Sequence, residues 1–228
     1  MIITYHGVDY FKVTFGNTTI AVNPVSKDSK FKNSRFGADI TLISLNSPEH
    51  NGIETTSRGD KESFLINGPG EYEVSGVFIK GIPAKSKYKS PSTTSTSSGQ
   101  ASSGSSSEEH INTIYTVSLE GMSLCFMGAL SEKELKAETK EAIDGVDILF
   151  VPIGGDGVLD SAGAHKLAVQ FEPEVIIPSH FGEVGDKNAL KAFLKESGSE
   201  NTKAVDKLTV KKKDLAEMEG EVVVLESI

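Results

Sequence analysis

Four scarcities bound what this chain of 228 residues can do. It has one cysteine, Cys125, so no disulfide can form within the chain, and a reducing compartment suits it. Cys125 sits in the apolar run Leu124-Cys125-Phe126-Met127 and reads as a packing residue. Positive charge is in deficit: 23 Lys and Arg against 32 Asp and Glu give a net charge of -9. That balance argues against nucleic-acid binding, which needs clustered cations against phosphates. The Lys211-Lys212-Lys213 run reads as a solvated strand end. No apolar stretch approaches the about 20 residues that span a bilayer, so no membrane partner is expected. The segment Met1-Ile2-Ile3-Thr4-Tyr5 runs directly into a strand pattern, without the basic and apolar regions of a secretion signal. A cytoplasmic protein is the expectation.

What is present is strand-rich. Ile3 to Tyr5, Tyr10 to Phe15 and Thr18 to Val22 read as a meander, with a hairpin turn at Gly16-Asn17. Ile40 to Ile43 reads as a buried strand that breaks into the polar loop Leu45-Asn46-Ser47-Pro48-Glu49-His50. Gly68-Pro69-Gly70 forces a tight turn. Glu120-Gly121 makes another hairpin. A capping box at Ser131 and Glu134 predicts a helix to about Ile143. Asp160 predicts the start of a helix reaching Phe171, and another covers about 186–197. Val146 to Pro152 and Val175 to Pro178 are buried strands; Lys207–Val210 and Val222–Leu225 close the chain. Gly154-Gly155-Asp156-Gly157 lacks the Lys-Ser/Thr of a phosphate-binding loop. The Ser/Thr-rich tract at about 86–109 reads as a flexible loop, because it has few apolar side chains to offset its ordering entropy.

Strands first and then mixed β and α elements are the order of two sheets packed face to face. Gly-Pro-Gly-Glu-Tyr-Glu-Val at 68–74, Leu45 to His50, and Val175-Ile176-Ile177-Pro178-Ser179-His180-Phe181 together resemble the metallo-β-lactamase superfamily, in its ascorbate-6-phosphate lactonase-like branch. The resemblance implies one α/β (α+β) domain over 1–228, an αββα four-layer sandwich of two mixed sheets. It implies a binuclear metal centre held by imidazoles and carboxylates, in which an activated water attacks the substrate.

The residues at the implied ligand positions are mostly the wrong ones. The family's His-x-His falls on Leu45 and Ser47, a third His on Ser86, and the bridging Asp on Ala129. Its early-turn His falls on Val8, and its Asp-Pro on Asn23-Pro24. Glu49, His50 and His180 keep ligand chemistry, and two imidazoles with one carboxylate can hold a single ion. Asn23, Asn46 and His110 are expected to line the cleft.

Two readings follow. In the first the chain has lost the binuclear metals and hydrolysis, needs no cofactor, and binds or scaffolds an unidentified small molecule or protein. In the second it is a mononuclear hydrolase of a small ester, lactone or phosphoester, using one Zn, Fe or Mn ion on Glu49, His50 and His180.

Overall fold

A computed structural model describes residues 1–59, 62–92 and 109–228. Among the described residues, thirteen strands form two mixed sheets. The first contains β1 (Ile2–Tyr5), β2 (Phe11–Phe15), β3 (Thr18–Val22), β4 (Ile40–Leu42), β5 (Phe64–Ile66) and β12 (Leu208–Thr209), in the order β12-β1-β2-β3-β4-β5. The second contains β6 (Gly70–Val74), β7 (Val77–Ser86), β8 (His110–Leu119), β9 (Met122–Phe126), β10 (Ile148–Pro152), β11 (Val175–Ser179) and β13 (Glu221–Val222), in the order β13-β11-β10-β9-β8-β7-β6. Helices α1 (Ala137–Ile143), α2 (Ser161–Phe171) and α3 (Ala189–Glu196) lie in the second half, and α4 (Lys212–Leu215) near the end.

The hairpins form where the turn residues demand them. Between β8 and β9, Glu120 and Gly121 have φ of 52° and 73°, and Leu119 pairs with Met122. Two successive positive φ values match the right-handed twist of the flanking strands. The strands β9, β10 and β11 are parallel, so each return crosses through α1 or α2.

Strand alternation divides the apolar residues between two cores. Phe11, Val13, Ile20 and Leu42 of the first sheet meet Ile79, Tyr115, Phe126 and Phe150 of the second. Phe126 and Phe150 stack at 4.1 Å between centroids, and Phe11 meets Phe150 edge-on at 4.8 Å. Burying each such ring contributes about 1.5–3 kcal/mol. On the other face of the second sheet, Leu149, Val151 and Ile176 pack against Leu167, Phe171 and Phe193 of α2 and α3. The outer face of the first sheet has thinner cover. Ala21 packs with Val25, Ala38, Phe31 and Phe36 from the 25–38 segment, and Thr41 bonds Thr56 beside a 3-10 turn at Ile53–Thr55. Two mixed sheets with flanking helices are the expected sandwich.

Several local expectations are corrected. The capping box at Ser131 does not form, and α1 starts only at Ala137. Ser131 and Glu132 instead bond the backbone of Lys85, at 3.1 Å from the Ser131 amide and 2.8 Å to the Glu132 carboxylate. A tertiary partner outcompetes the local cap. β7 runs through Ser86, the first residue of the expected loop, because it keeps pairing with β8 as far as His110. Lys212 and Lys213 lie in α4 rather than on a strand end, with Lys212 Nζ 2.5 Å from Asp147. The closing strands are shorter than 207–210 and 222–225. Of the 86–109 tract, residues 93–108 lie outside the described residues. Residues 86–92 are placed against the cleft, where Ser86 and Tyr88 are buried.

Candidate metal centre

The cleft is assembled from turns and strand ends far apart in sequence. The β1–β2 turn, the end of β3, the loop after β4, the end of β9 and the end of β11 all meet there. Backbone hydrogen bonds tie the sheets together at this edge: the Thr113 amide donates to Ser44 O at 2.8 Å, and the His180 amide to Val8 O at 2.6 Å.

Three cleft residues are not glycine yet have positive φ: Val8 at 55°, Asn23 at 52° and His180 at 54°. For a β-branched valine this backbone is strained. The strain is held in place by bonds to its carbonyl, which accepts from both Tyr5 Oη at 2.9 Å and the His180 amide. His180 needs its neighbour to be small. A Cβ on Gly154 would stand 2.2 Å from His180 O, which explains one glycine of the 154–157 loop without any phosphate.

His50 and His180 converge, as the resemblance implies. Both are buried, with Nε2 atoms 3.1 Å apart and rings nearly parallel at 26°. Ser47 Oγ lies 2.8 Å from His50 Nδ1, within a turn closed by the His50 and Asn51 amides on Ser47 O. Burial lowers the His50 pKa to about 3 and, together with His50 itself, pushes His180 well below the usual imidazole value. Both rings are therefore neutral at pH 7.

The third member of this group is Asp9, which the sequence reading passed over. Asp9, His50 and His180 each offer a ligand atom, all within 4.8 Å of one another. Asp9 is 3 % exposed. Asn23 Nδ2 donates to its Oδ2 at 2.5 Å, and its Oδ1 lies 3.9 Å from His180 Nδ1. Burial raises the Asp9 pKa to about 7, against the lowering effect of hydrogen bonds from Ser179 and Asn23. Asn23 also accepts the Ser44 amide at 2.7 Å, so its amide group uses both ends. A carboxylate at position 23 could accept from Ser44 but could not donate to Asp9. The one signal available in the sequence was an acid in a turn, Gly7-Val8-Asp9, flanked by apolar strands.

Glu49 is buried beside His50 but lies outside that group of three. Its Oε1 accepts from Ser29 Oγ at 3.3 Å and from Ser92 Oγ, and its Oε2 has no partner among the described residues. Asn23 is in the cleft. Asn46 is exposed and bonds Asn51 at 2.8 Å, and His110 is exposed at the start of β8, so neither joins the cluster.

The four remaining ligand positions have a different environment. Leu45 and Ala129 pack with Tyr88 and Val158 in one buried apolar cluster. The Tyr88 ring stands edge-on to His50 at 5.3 Å and to His180 at 5.7 Å. Ser86 Oγ is turned to the Tyr88 amide at 3.1 Å. The Ala129 amide donates to Asn112 Oδ1 at 3.0 Å, which fixes the loop after β9. A cavity of about 200 Å³ borders His180, Tyr88, Lys30 and Lys89.

A two-sheet sandwich whose strand-end loops gather histidines and carboxylates at one edge is the architecture of the metallo-β-lactamases. The family model described as a β-lactamase superfamily domain matches residues 2–180, and the chain belongs to the metallo-β-lactamase superfamily. Solved structures share the fold at low identity. A candidate Zn-dependent hydrolase from Thermotoga maritima is 23% identical, with TM-score 0.72, covering 98% of this chain and 97% of its own. The metallo hydrolase Igni18 from Ignicoccus hospitalis is 18% identical, with TM-score 0.59 over 92% and 99%. An isothiocyanate hydrolase from Delia radicum gut bacteria is 11% identical, with TM-score 0.61 over 100% and 97%. Among the described residues, no helix is long and apolar enough to cross a membrane.

Proposed function

We propose that this chain has given up the binuclear hydrolytic centre of its superfamily and works as a binding or scaffold protein. One observation carries the reading: Leu45 and Ala129, at two implied ligand positions, are buried with Tyr88 and Val158 in an apolar cluster. Carbon side chains offer no lone pairs. Filling the site with them also excludes the water that a binuclear centre activates. The residues of that half do not fit a metal, and no hydrolytic step is derived through two ions. Ser47 and Ser86 support the same reading, because their hydroxyls are engaged with His50 Nδ1 and the Tyr88 amide.

A mononuclear hydrolase of a small ester, lactone or phosphoester is the second reading. The Asp9, His50 and His180 grouping favours it, as does the description of similar folds as hydrolases. Against it stands burial: the three groups are 3 %, 0 % and 1 % exposed, which leaves a substrate little access.

The test is turnover of a panel of esters, lactones and phosphodiesters by the full chain, with Zn, Fe(II) or Mn added in turn. The proposal expects rates at the no-protein background with every ion. Metal-dependent turnover that disappears in His180→Ala would sink it.

A further inference from the structure

We infer that a pocket on the outer face of the first sheet, lined by Lys12, Arg35 and Arg58, binds the phosphate group of a small phosphorylated molecule. The chain has 23 Lys and Arg, yet only two of them are arginine, Arg35 and Arg58. Both line this one pocket of about 570 Å³, together with Lys12, Thr19, Phe36 and Ser57. None of these residues is among those of the cleft, so the pocket has a role separate from that of the metal centre.

Three segments bring the cations together. Strand alternation on β2 buries Phe11 and Val13 and turns Lys12 to the other face, which Thr19 of β3 shares. The 25–38 segment and the residues after the 3-10 turn run side by side. The Phe36 amide donates to Thr55 O at 3.2 Å, and the Ala38 amide to Thr56 O at 2.9 Å. Arg35 and Arg58 flank that pair of bonds. Gly37 makes room for the Arg58 stem: a Cβ there would stand 2.6 Å from Arg58 Cβ and 3.0 Å from its Cδ. The Lys12 ammonium stands over the Phe36 ring, 4.8 Å from its centroid.

No acid answers these cations. Among the described residues, Lys12, Arg35 and Arg58 make no ion pair. Lys12 and Lys32 both help to lower the pKa of the adjacent His6, and no carboxylate opposes them there. In a chain of net charge -9 this is a local reversal of sign, and a bound anion relieves the mutual repulsion. The side chains also select the anion. A guanidinium presents a rigid fork of N–H donors that matches a pair of carboxylate or phosphate oxygens. One fork occupies both oxygens of a carboxylate. A phosphate monoester has three terminal oxygens and a charge of about -2 at pH 7, which can meet both forks and the Lys12 ammonium. Thr19 and Ser57 add hydroxyl donors. A nucleic acid is disfavoured, because its extended backbone would meet the acidic remainder of the surface.

The experiment titrates the full chain with glycerol phosphate, with inorganic phosphate and, at matched ionic strength, with acetate. Calorimetry reads stoichiometry and affinity, and amide NMR shifts at Thr19, Gly37 and Gly59 locate the binding. We expect one glycerol phosphate per chain, with a dissociation constant below about 1 mM and acetate weaker by more than about 10-fold. Inorganic phosphate should bind in the same place, no tighter than the monoester. Arg35→Lys and Arg58→Lys keep the charge but lose the fork, and each should weaken the monoester by about 10-fold. Lys203→Gln, which removes an exposed charge elsewhere, should bind like the parent. Circular-dichroism melts separate lost binding from lost folding; if Arg58→Lys does not fold, Arg35→Lys decides. No saturable binding of the monoester, acetate as tight as phosphate, shifts confined to other residues, or parent-level binding in the folded arginine variants overturns the inference. Each of these leaves the loss of the binuclear centre standing.

Discussion

The two halves of the cleft meet at the loop after β4, which carries both Leu45 and His50, but have opposite interiors. On one side Leu45, Ala129, Tyr88 and Val158 make a small apolar core. On the other, Asp9 of the β1–β2 turn, His50 and His180 are polar while buried. The scaffold supplies the geometry and the side chains decide what it holds.

Placing a carboxylate at the implied bridging position should break the contrast most severely. Ala129→Asp buries a carboxylate at a position that is 0 % exposed, in apolar surroundings. In the absence of metal it should cost about 3 kcal/mol or more, read by chemical denaturation. A small loss would mean that the apolar half is open to water.

The polar half has its own weak point. Asn23→Asp removes the donor to Asp9 and sets a second carboxylate where the amide stood 2.5 Å away. We expect a loss of about 2 kcal/mol at pH 7, measured the same way. Asn23→Ala, which leaves no second charge, should cost less. Equal costs would mean that the Asn23 contact to Asp9 carries no charge effect.

Acid stability sharpens the contrast from just outside the cleft. His6 is packed against Tyr10 and Phe36, and burial lowers its pKa to about 4, helped by Lys12 and Lys32. The unfolded chain therefore binds this proton first. The stability contribution is complete above about pH 6.5 and is lost as pH falls towards 4. A His6→Gln variant should show a shallower decline in stability between pH 6.5 and 4; an unchanged slope would remove His6 as a cause.

The smallest effect belongs to Tyr88. Its hydroxyl is buried without a partner among the described residues. Tyr88→Phe should keep the apolar packing and shift stability by no more than about 1 kcal/mol, towards greater stability. A clear loss would reveal a partner for that hydroxyl.

The framework was legible because its signals are local. Gly16-Asn17, Glu120-Gly121 and the run Val175 to His180 mark turns and strands by neighbouring residues alone. His50 and His180 were legible by resemblance, since they lie at the ends of recognisable strands. Asp9 was not, because its meaning depends on Asn23, 14 residues on, and on Ser179 and His180 at the far side of the chain. Tyr88 was hidden by the Ser- and Lys-rich residues around it, while its partners Leu45, Ala129 and Val158 come from three other loops. The false cap at Ser131 failed for a similar reason. A local rule was overridden by Lys85, which is 46 residues away in the chain.

Metal stoichiometry tests the difference between the two halves most directly. The full chain, purified without chelator and reloaded with Zn²⁺, should not reach two ions per molecule. Two ions per molecule would show that the apolar half still serves a metal and would contradict the loss of the binuclear centre.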